Sequence, residues 1–376
     1  MTPAPEFARY PLGRPPIYKR WLTAGAVALV IVGCISLLLQ SVYEQTDVMP
    51  AGIAISVFWA AALLVRILFY RFNRHVARCY EEMTAYVLER WWRHRRQQVA
   101  LVESVLVAPA CNSPEQADSL FTPDRPAPAV VNTDTGLALR MPGIFGANIV
   151  EREHQLARLL ALQWGASLVG NEMLKPVQCY WQGSPETWRS FVEQMNASAP
   201  HVQLPEQAES WLGMRSLDVI IDRVQGLPVD ARILCGGCHS TQPQVNSRLP
   251  AGEVALLWLL SPSGGVRMCR GEGYEVLTDD LSAVAERAQQ HIQSVDEQKI
   301  GMAFSQPDVP ELAGLDWGVR PLSQDAHFGE LAGMQAMVVQ TLAAWHAQRT
   351  GAPCLWLASD PHYALALGVI EADESC

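Results

Sequence analysis

Two long apolar runs open the chain. Residues 21–40 (WLTAGAVALVIVGCISLLLQ) hold no charge, and residues 51–70 (AGIAISVFWAAALLVRILFY) hold only Arg66. About 20 apolar residues suffice for a helix to cross a bilayer, and a helix satisfies its own backbone polar groups there. Residues 41–50 leave room for a turn only, so the pattern predicts a transmembrane hairpin over 21–70. Two buried core helices are the alternative, but core helices of this length rarely lack a polar face. The first run is also too long for the apolar region of a cleaved signal, and a second run follows at once.

The charges give the hairpin a direction. Arg9, Arg14, Lys19 and Arg20 precede it, while Arg71, Arg74, Arg78, Arg90, Arg93, Arg95 and Arg96 follow it. The turn holds only Glu44 and Asp47. Positive flanks stay in the cytoplasm. This predicts a membrane protein with both termini and the bulk of the chain cytoplasmic. Arg66 lies near the inner end of its span, where it can snorkel to the headgroups. Residues 1–20, rich in proline, read as an unstructured cytoplasmic tail. Residues 71–98 continue the second span as a basic juxtamembrane helix. Tyr80, Met83, Val87, Trp91 and Trp92 recur there at helical spacing among arginines, which suits an interfacial helix on anionic lipid. Contact of WWRHRR with nucleic acid is the weaker reading.

Beyond the neck the pattern alternates between strands and helices. Residues 99–109 (VALVESVLVAP) have the β-branched density of a buried strand, and 111–148, rich in Pro, Asp, Asn and Gly, read as an irregular connection. Residues 149–168 form an amphipathic helix, 177–182 a strand, and 184–195 a helix capped by Ser184. Residues 204–213 and 216–225 read as two short helices. Residues 230–240 form a strand, and 252–271 a hairpin turning at Pro262-Ser263-Gly264-Gly265. A capped helix follows over 279–295. Residues 328–351 form a long buried helix closed by Gly351, and 352–359 and 362–370 are closing strands. Strands apolar throughout, interleaved with helices, predict a mixed α/β domain with a helix-covered sheet, in two parts, 99–215 and 216–376.

Residues 1–96 hold 12 Lys and Arg against 6 Asp and Glu, leaving 16 against 32 for the rest. So acidic a portion does not suit nucleic acid, whose phosphates need a basic face; it suits a protein partner with a basic patch. The nine cysteines are Cys34, Cys79, Cys111, Cys179, Cys235, Cys238, Cys269, Cys354 and Cys376. An odd number, several of them within apolar runs, reads as free thiols in a reducing compartment.

Cys235-Gly-Gly-Cys238-His239 matches the Cys-x-x-Cys-His signature of c-type haem attachment, with Met302 as an opposite ligand. It stands alone on an apolar strand, in a segment expected in the cytoplasm. Zinc would need a second ligand pair, and a redox dithiol a helix start. Small residues packing at a strand end is the preferred reading. Gly271-Glu272-Gly273 lacks the third glycine of a dinucleotide site, and neither a phosphate-binding loop nor a Gly-x-Ser-x-Gly elbow occurs. His154, His201, His291 and His346 are isolated. Asp325, His327 and Glu330 cluster at the start of the long helix, where acidic groups favour the helix dipole. No catalytic, cofactor-binding or metal-ligating residue is assigned, and no cofactor is expected.

From about residue 216 to 370 the order of segments resembles the thiolase-like (condensing-enzyme) superfamily. DARILCGGCHS stands for its glycine-ending strand and GEVALLWLLSPSG for the hydrophobic strand that follows. HFGELAGMQAMVVQTLAAWHAQRTG stands for the Gly-His turn and long buried helix, and SDPHYALALGVI for the turn into the last strand. The resemblance implies a nucleophilic cysteine at a buried helix start in the first half, partnered by histidines. Cys111 falls in the irregular connection and Cys179 in a strand. Gly329-Glu330 replaces the Gly-His pair, with His327 and His362 nearby but out of register. The implied protein lacks the catalytic set and is not an enzyme.

The whole layout, an anchor, an arginine-rich neck and a two-part domain, resembles the adaptor family that loads phospholipase effectors in bacterial type VI secretion. That resemblance implies a non-catalytic adaptor binding an effector, such as a phospholipase, or a spike protein. The alternative is a membrane-associated thiolase-like acyl-transfer enzyme, with Cys111 or Cys235 as the thiol trapped by a thioester analogue. A haem protein is the third reading.

Overall fold

A computed structural model of the chain describes residues 5–40, 48–113, 116, 118–122, 125–168, 173–291, 299–304 and 319–373. The chain forms two compact units, residues 2–94 and 95–376.

In the first unit, α1 (Tyr18–Gln40) and α2 (Val48–Arg95) are long and apolar enough to cross a membrane, and almost none of either apolar window is buried within the protein. Core helices would be buried. The connecting turn with Glu44 and Asp47 lies outside the described residues. The helices meet where Gly25 faces the indole of Trp59, whose Nε1–H donates to the Trp21 carbonyl at 3.1 Å. Small residues allow such close approach of apolar helices.

One expectation about this unit changes. The stretch before Tyr18 is not a loose tail. Arg66 donates to the Arg14 carbonyl at 2.8 Å, and Asn73 Oδ1 accepts the Gly13 N–H at 2.8 Å. Tyr80 Oη donates to the Ala8 carbonyl at 3.0 Å, and Tyr10 packs on the Tyr80 ring. Positions 66, 73 and 80 lie seven apart on one helix line, so the N-terminal stretch runs along α2 as a strap. The second span and the basic neck form one helix. Helical hydrogen bonding runs unbroken from Val48 to Arg95, about 72 Å at 1.5 Å per residue.

The second unit is mixed α/β. Its elements are β1 (Gln98–Val107), a small hairpin of β2 (Val131–Thr133) and β3 (Gly136–Ala138), α3 (Ile149–Ser167), β4 (Gln178–Gln182), α4 (Pro185–Ser198), β5 (Glu209–Ser210), α5 (Met214–Val224), β6 (Ile233–Ser240), β7 (Glu253–Ser261), β8 (Val266–Cys269), β9 (Glu272–Tyr274), α6 (Leu281–Gln289), β10 (Lys299–Ala303), β11 (Val319–Ser323), the single turn α7 (Asp325–Phe328), α8 (Gln335–Thr350), β12 (Cys354–Ala358) and β13 (Leu365–Glu371). An eleven-stranded sheet runs β11-β10-β12-β13-β8-β1-β7-β6-β4-β5, with β9 paired to β13. Residues 98–261 supply one half and 266–371 the other. The expected boundary at 215/216 falls inside the first half, within α5.

The 252–271 hairpin is corrected. β7 and β8 do not pair; β1 lies between them, antiparallel to both. The Pro262–Gly265 turn carries the chain over β1, which bulges between Leu101 and Glu103. A Cβ on Gly265 would strike the Leu101 carbonyl, so glycine permits the crossing. The long helix is also shorter than expected: α7 and a 3₁₀ turn (Ala332–Met334) precede α8, which ends at Gly351 with φ 72°. Residues 204–213 form no helix; they hold β5 and its flanking loops. The end of the helix expected over 279–295 lies outside the described residues.

Both sheet faces are covered. α8 is buried along Gln335–Ala347 on one face with α5, and α3 and α4 cover the other face of the first half. Continuous apolar strands such as β7, buried at every position, follow from this.

Candidate functional site

The resemblance directs attention to a buried helix start in the first half of the domain. The start of α5 is one such helix start. Its N-cap is Gly213, at φ 62° and ψ −134°, with no capping side chain of its own. Few residues other than glycine adopt that backbone. The cap comes from far along the chain: Asp360 Oδ2 accepts the Met214 N–H at 2.8 Å. Its other oxygen accepts the His362 N–H at 2.9 Å. A Cβ on Gly213 would collide with Asp360 Oδ2 and meet Pro361 Cδ.

Two further segments close on this point. A Cβ on Gly333, in the turn that opens α8, would touch Gln182 Nε2 at the end of β4 and lie 3.8 Å from Pro361 Cγ. The ends of β4 and β12, the start of α5 and the start of α8 therefore meet around Asp360. A separate cleft of about 510 Å³ lies on the α3–α4 side of the sheet, and none of Asp360, His362, Gly213 or Gln182 lines it. Gly183 and Ser210 line it, next in the chain to Gln182 and Trp211, and Trp181, Trp188 and Val192 supply apolar surface. Both indole N–H groups are already bonded, to Thr187 Oγ1 and the Pro205 carbonyl.

Burial raises the Asp360 carboxyl, and the Met214 and His362 amides offset part of that rise. His362 Nε2 is buried with no hydrogen-bond partner among the described residues. A carboxyl pushed toward neutrality thus shares its turn with a histidine whose Nε2 makes no hydrogen bond among the described residues.

The sequence-derived candidates fall elsewhere. Cys235 and Cys238 lie three apart on β6, so they face opposite sides of the sheet: Cys235 packs in the α5–α8 core and Cys238 in the α3–α4 core. They cannot jointly hold a haem, a metal or a disulfide. Their glycines serve packing, since a Cβ on Gly236 would meet the Leu256 carbonyl and one on Gly237 the Gln182 carbonyl. His239 pairs with Glu153 at 3.3 Å. Burial pushes the Cys111 thiol up to about 12 and the Cys235 thiol well above its usual value, so neither is a poised nucleophile. Glu330 is held against residues 250–252, its N–H donating to the Pro250 carbonyl at 2.9 Å. Burial lowers the His327 imidazole, whose ring nitrogens also lack hydrogen-bond partners among the described residues.

Sequence reasoning missed Gly213, Asp360 and Gln182. One signal was available: an amphipathic run, Met214 to Val224, begins directly after a glycine, with no Ser, Thr, Asp or Asn to cap it.

No family model and no curated protein matches the chain by sequence. Among solved structures it is similar to a ketosynthase from module 1 of the bacillaene synthase of Bacillus amyloliquefaciens FZB42, at 11% identity and TM-score 0.48, over 75% of this chain and 77% of that one. It is similar to the ishigamide ketosynthase/chain length factor at 15% identity and TM-score 0.44, over 73% and 99%. It is similar to an HMG-CoA synthase complexed with CoA at 7% identity and TM-score 0.41, over 73% and 82%. These matches carry the names of condensing enzymes, against the expectation that the chain is not an enzyme, and that expectation does not stand.

Proposed function

We propose that the chain is a membrane-tethered acyl-transfer enzyme with a thiolase-like layout, working at the site around Asp360 without an enzyme thiol. The observation that carries this reading is the Asp360 carboxylate at the glycine-capped start of α5, with the His362 N–H on its other oxygen and His362 Nε2 without a hydrogen-bond partner among the described residues. In the proposed step an acceptor nucleophile attacks the carbonyl of an acyl thioester while His362 Nε2 takes its proton. The carbon–sulfur bond breaks as the new bond to the acceptor forms, and the departing thiolate recovers the proton from His362. Asp360 holds the His362 backbone. Anchorage by α1 and α2 in a bacterial inner membrane, with both termini cytoplasmic, would keep the domain near acyl chains.

The test is turnover of acyl-thioesters of graded chain length by the full chain in vesicles. Acyl transfer that survives Cys111→Ser and Cys235→Ser but not His362→Ala supports the reading. Thioester turnover that needs a thiol, or none at any chain length, overturns it.

A second reading, binding of a type VI secretion effector or spike protein, is favoured by the acidity of the domain, which suits a basic partner. Recovery of such a component with the full chain from detergent extracts supports it; recovery of none counts against it.

A further inference from the structure

Beyond its apolar span, α2 carries a second pattern. Phe72, Val76, Cys79, Met83 and Tyr86 follow one another at alternating intervals of four and three residues. The same rhythm runs back through Phe58, Ala62, Val65 and Phe69. This is the heptad seam of a coiled coil. It is open: Phe72, Met83 and Tyr86 are 66%, 62% and 56% exposed, and Cys79 is exposed. The strap leaves it so, because Arg66, Asn73 and Tyr80 hold the N-terminal stretch along a neighbouring line of the helix.

Lipid does not reach the far part of this surface, Cys79 to Tyr86, if the span is in the bilayer. Met83 lies 13 residues past Tyr70, about 20 Å along an unbroken helix, and the headgroup layer adds only about 5–8 Å to the hydrocarbon on each side. The charges fit a copy of the same helix. Arg71, Arg74 and Arg78 all fall at outer positions. His75, Glu82 and Glu89 flank the seam on one side, and Asn73, Tyr80 and Val87 on the other. No arginine meets its equivalent until Arg90, which takes the next seam position and ends the run. Copies inserted by the same hairpin also point the same way, as a parallel pair requires.

We infer that α2 pairs with α2 of a second copy of this chain along the seam Phe72–Tyr86, as a parallel two-stranded coiled coil. The pairing rests on the membrane reading of the hairpin and is independent of the chemistry at Asp360.

The test uses the full chain in native membrane vesicles, with Cys34→Ser and Cys376→Ser, oxidised by copper phenanthroline. A disulfide-linked homodimer is expected, and Cys79→Ser should abolish it. In that Cys79→Ser background, Val76→Cys, Met83→Cys and Tyr86→Cys should restore it, while Arg78→Cys and Glu81→Cys should give at least tenfold less. Carbonate washing of the same vesicles shows separately whether the chain is embedded. Absence of a homodimer at every seam position, or equal yields at seam and outer positions, overturns the pairing. So does a cross-link to a different protein in place of the homodimer.

Discussion

The carboxylate of Asp360 accepts the Met214 amide hydrogen at 2.8 Å, joining residues 146 apart in the chain. A helix start leaves amide hydrogens without partners, and here a distant turn supplies one. Room for it exists only because residue 213 has no side chain. Gly213→Ala should therefore combine an unfavourable backbone with a collision and cost more than about 3 kcal/mol. Gly351→Ala, also at positive φ but facing open space, should cost about 1 kcal/mol. Thermal unfolding of the two variants of the detergent-solubilised chain makes the comparison.

Glu253 is the most tightly held carboxylate of the domain. It accepts from Arg140 at 2.7 Å, from Arg152, from Ser240 Oγ at 3.0 Å and from the Met141 N–H at 3.0 Å. Burial alone would raise it, but these hydrogen bonds and the two guanidinium charges outweigh burial and hold it below its usual 4.5. A depressed carboxyl adds stability above its unfolded-state pKa and loses it as pH falls through the folded-state value. Wild type should lose stability progressively below about pH 4.5, with a flatter acid limb in Glu253→Gln. At pH 7 that substitution leaves two buried arginines short of a partner and should cost about 3–5 kcal/mol. Urea unfolding across pH reads both.

The thiols of the α/β domain should be inert in the folded protein. Cys111, Cys179, Cys235, Cys238, Cys269 and Cys354 are all buried, and burial raises every one of them. Iodoacetamide on the native chain should label Cys79, exposed on α2, at least tenfold faster than any of the six. Site-resolved mass spectrometry before and after denaturation checks this, and rapid native labelling of Cys235 would contradict the packing of β6.

Orientation can be read independently. A fluorescent reporter that matures only in the cytoplasm should light up when fused after Cys376, and a periplasmic phosphatase fused there should stay silent. The opposite pair of results reverses the direction inferred from Arg14, Lys19, Arg71 and Arg74.

Much of the fold was legible because its signals are local. β7 reads from the unbroken apolar run EVALLWLLS, α4 from Ser184 followed by Pro185, and the end of α8 from Gly351. What local pattern could not carry was pairing. Pro262-Ser263-Gly264-Gly265 has the composition of a hairpin turn, yet β1, far back in the chain, occupies the place beside β7. The candidate site failed to appear for the same reason. Asp360 reads as one acid in a turn, and only the fold brings it to Gly213. Cys235-Gly-Gly-Cys238-His239 shows the converse: the text matches a ligand set, while the alternation of a strand sends its two thiols to opposite faces.

The central claim is acyl transfer with His362 as the proton carrier and no enzyme thiol. Its most direct measurement is kcat/KM for an acyl-thioester with wild type, His362→Ala and Cys111→Ser/Cys235→Ser. Loss of a general base typically costs about 10²–10⁴-fold, so His362→Ala should fall by at least 100-fold while the cysteine variant stays within twofold of wild type. Undiminished turnover in His362→Ala, or its loss in the cysteine variant, would contradict the account.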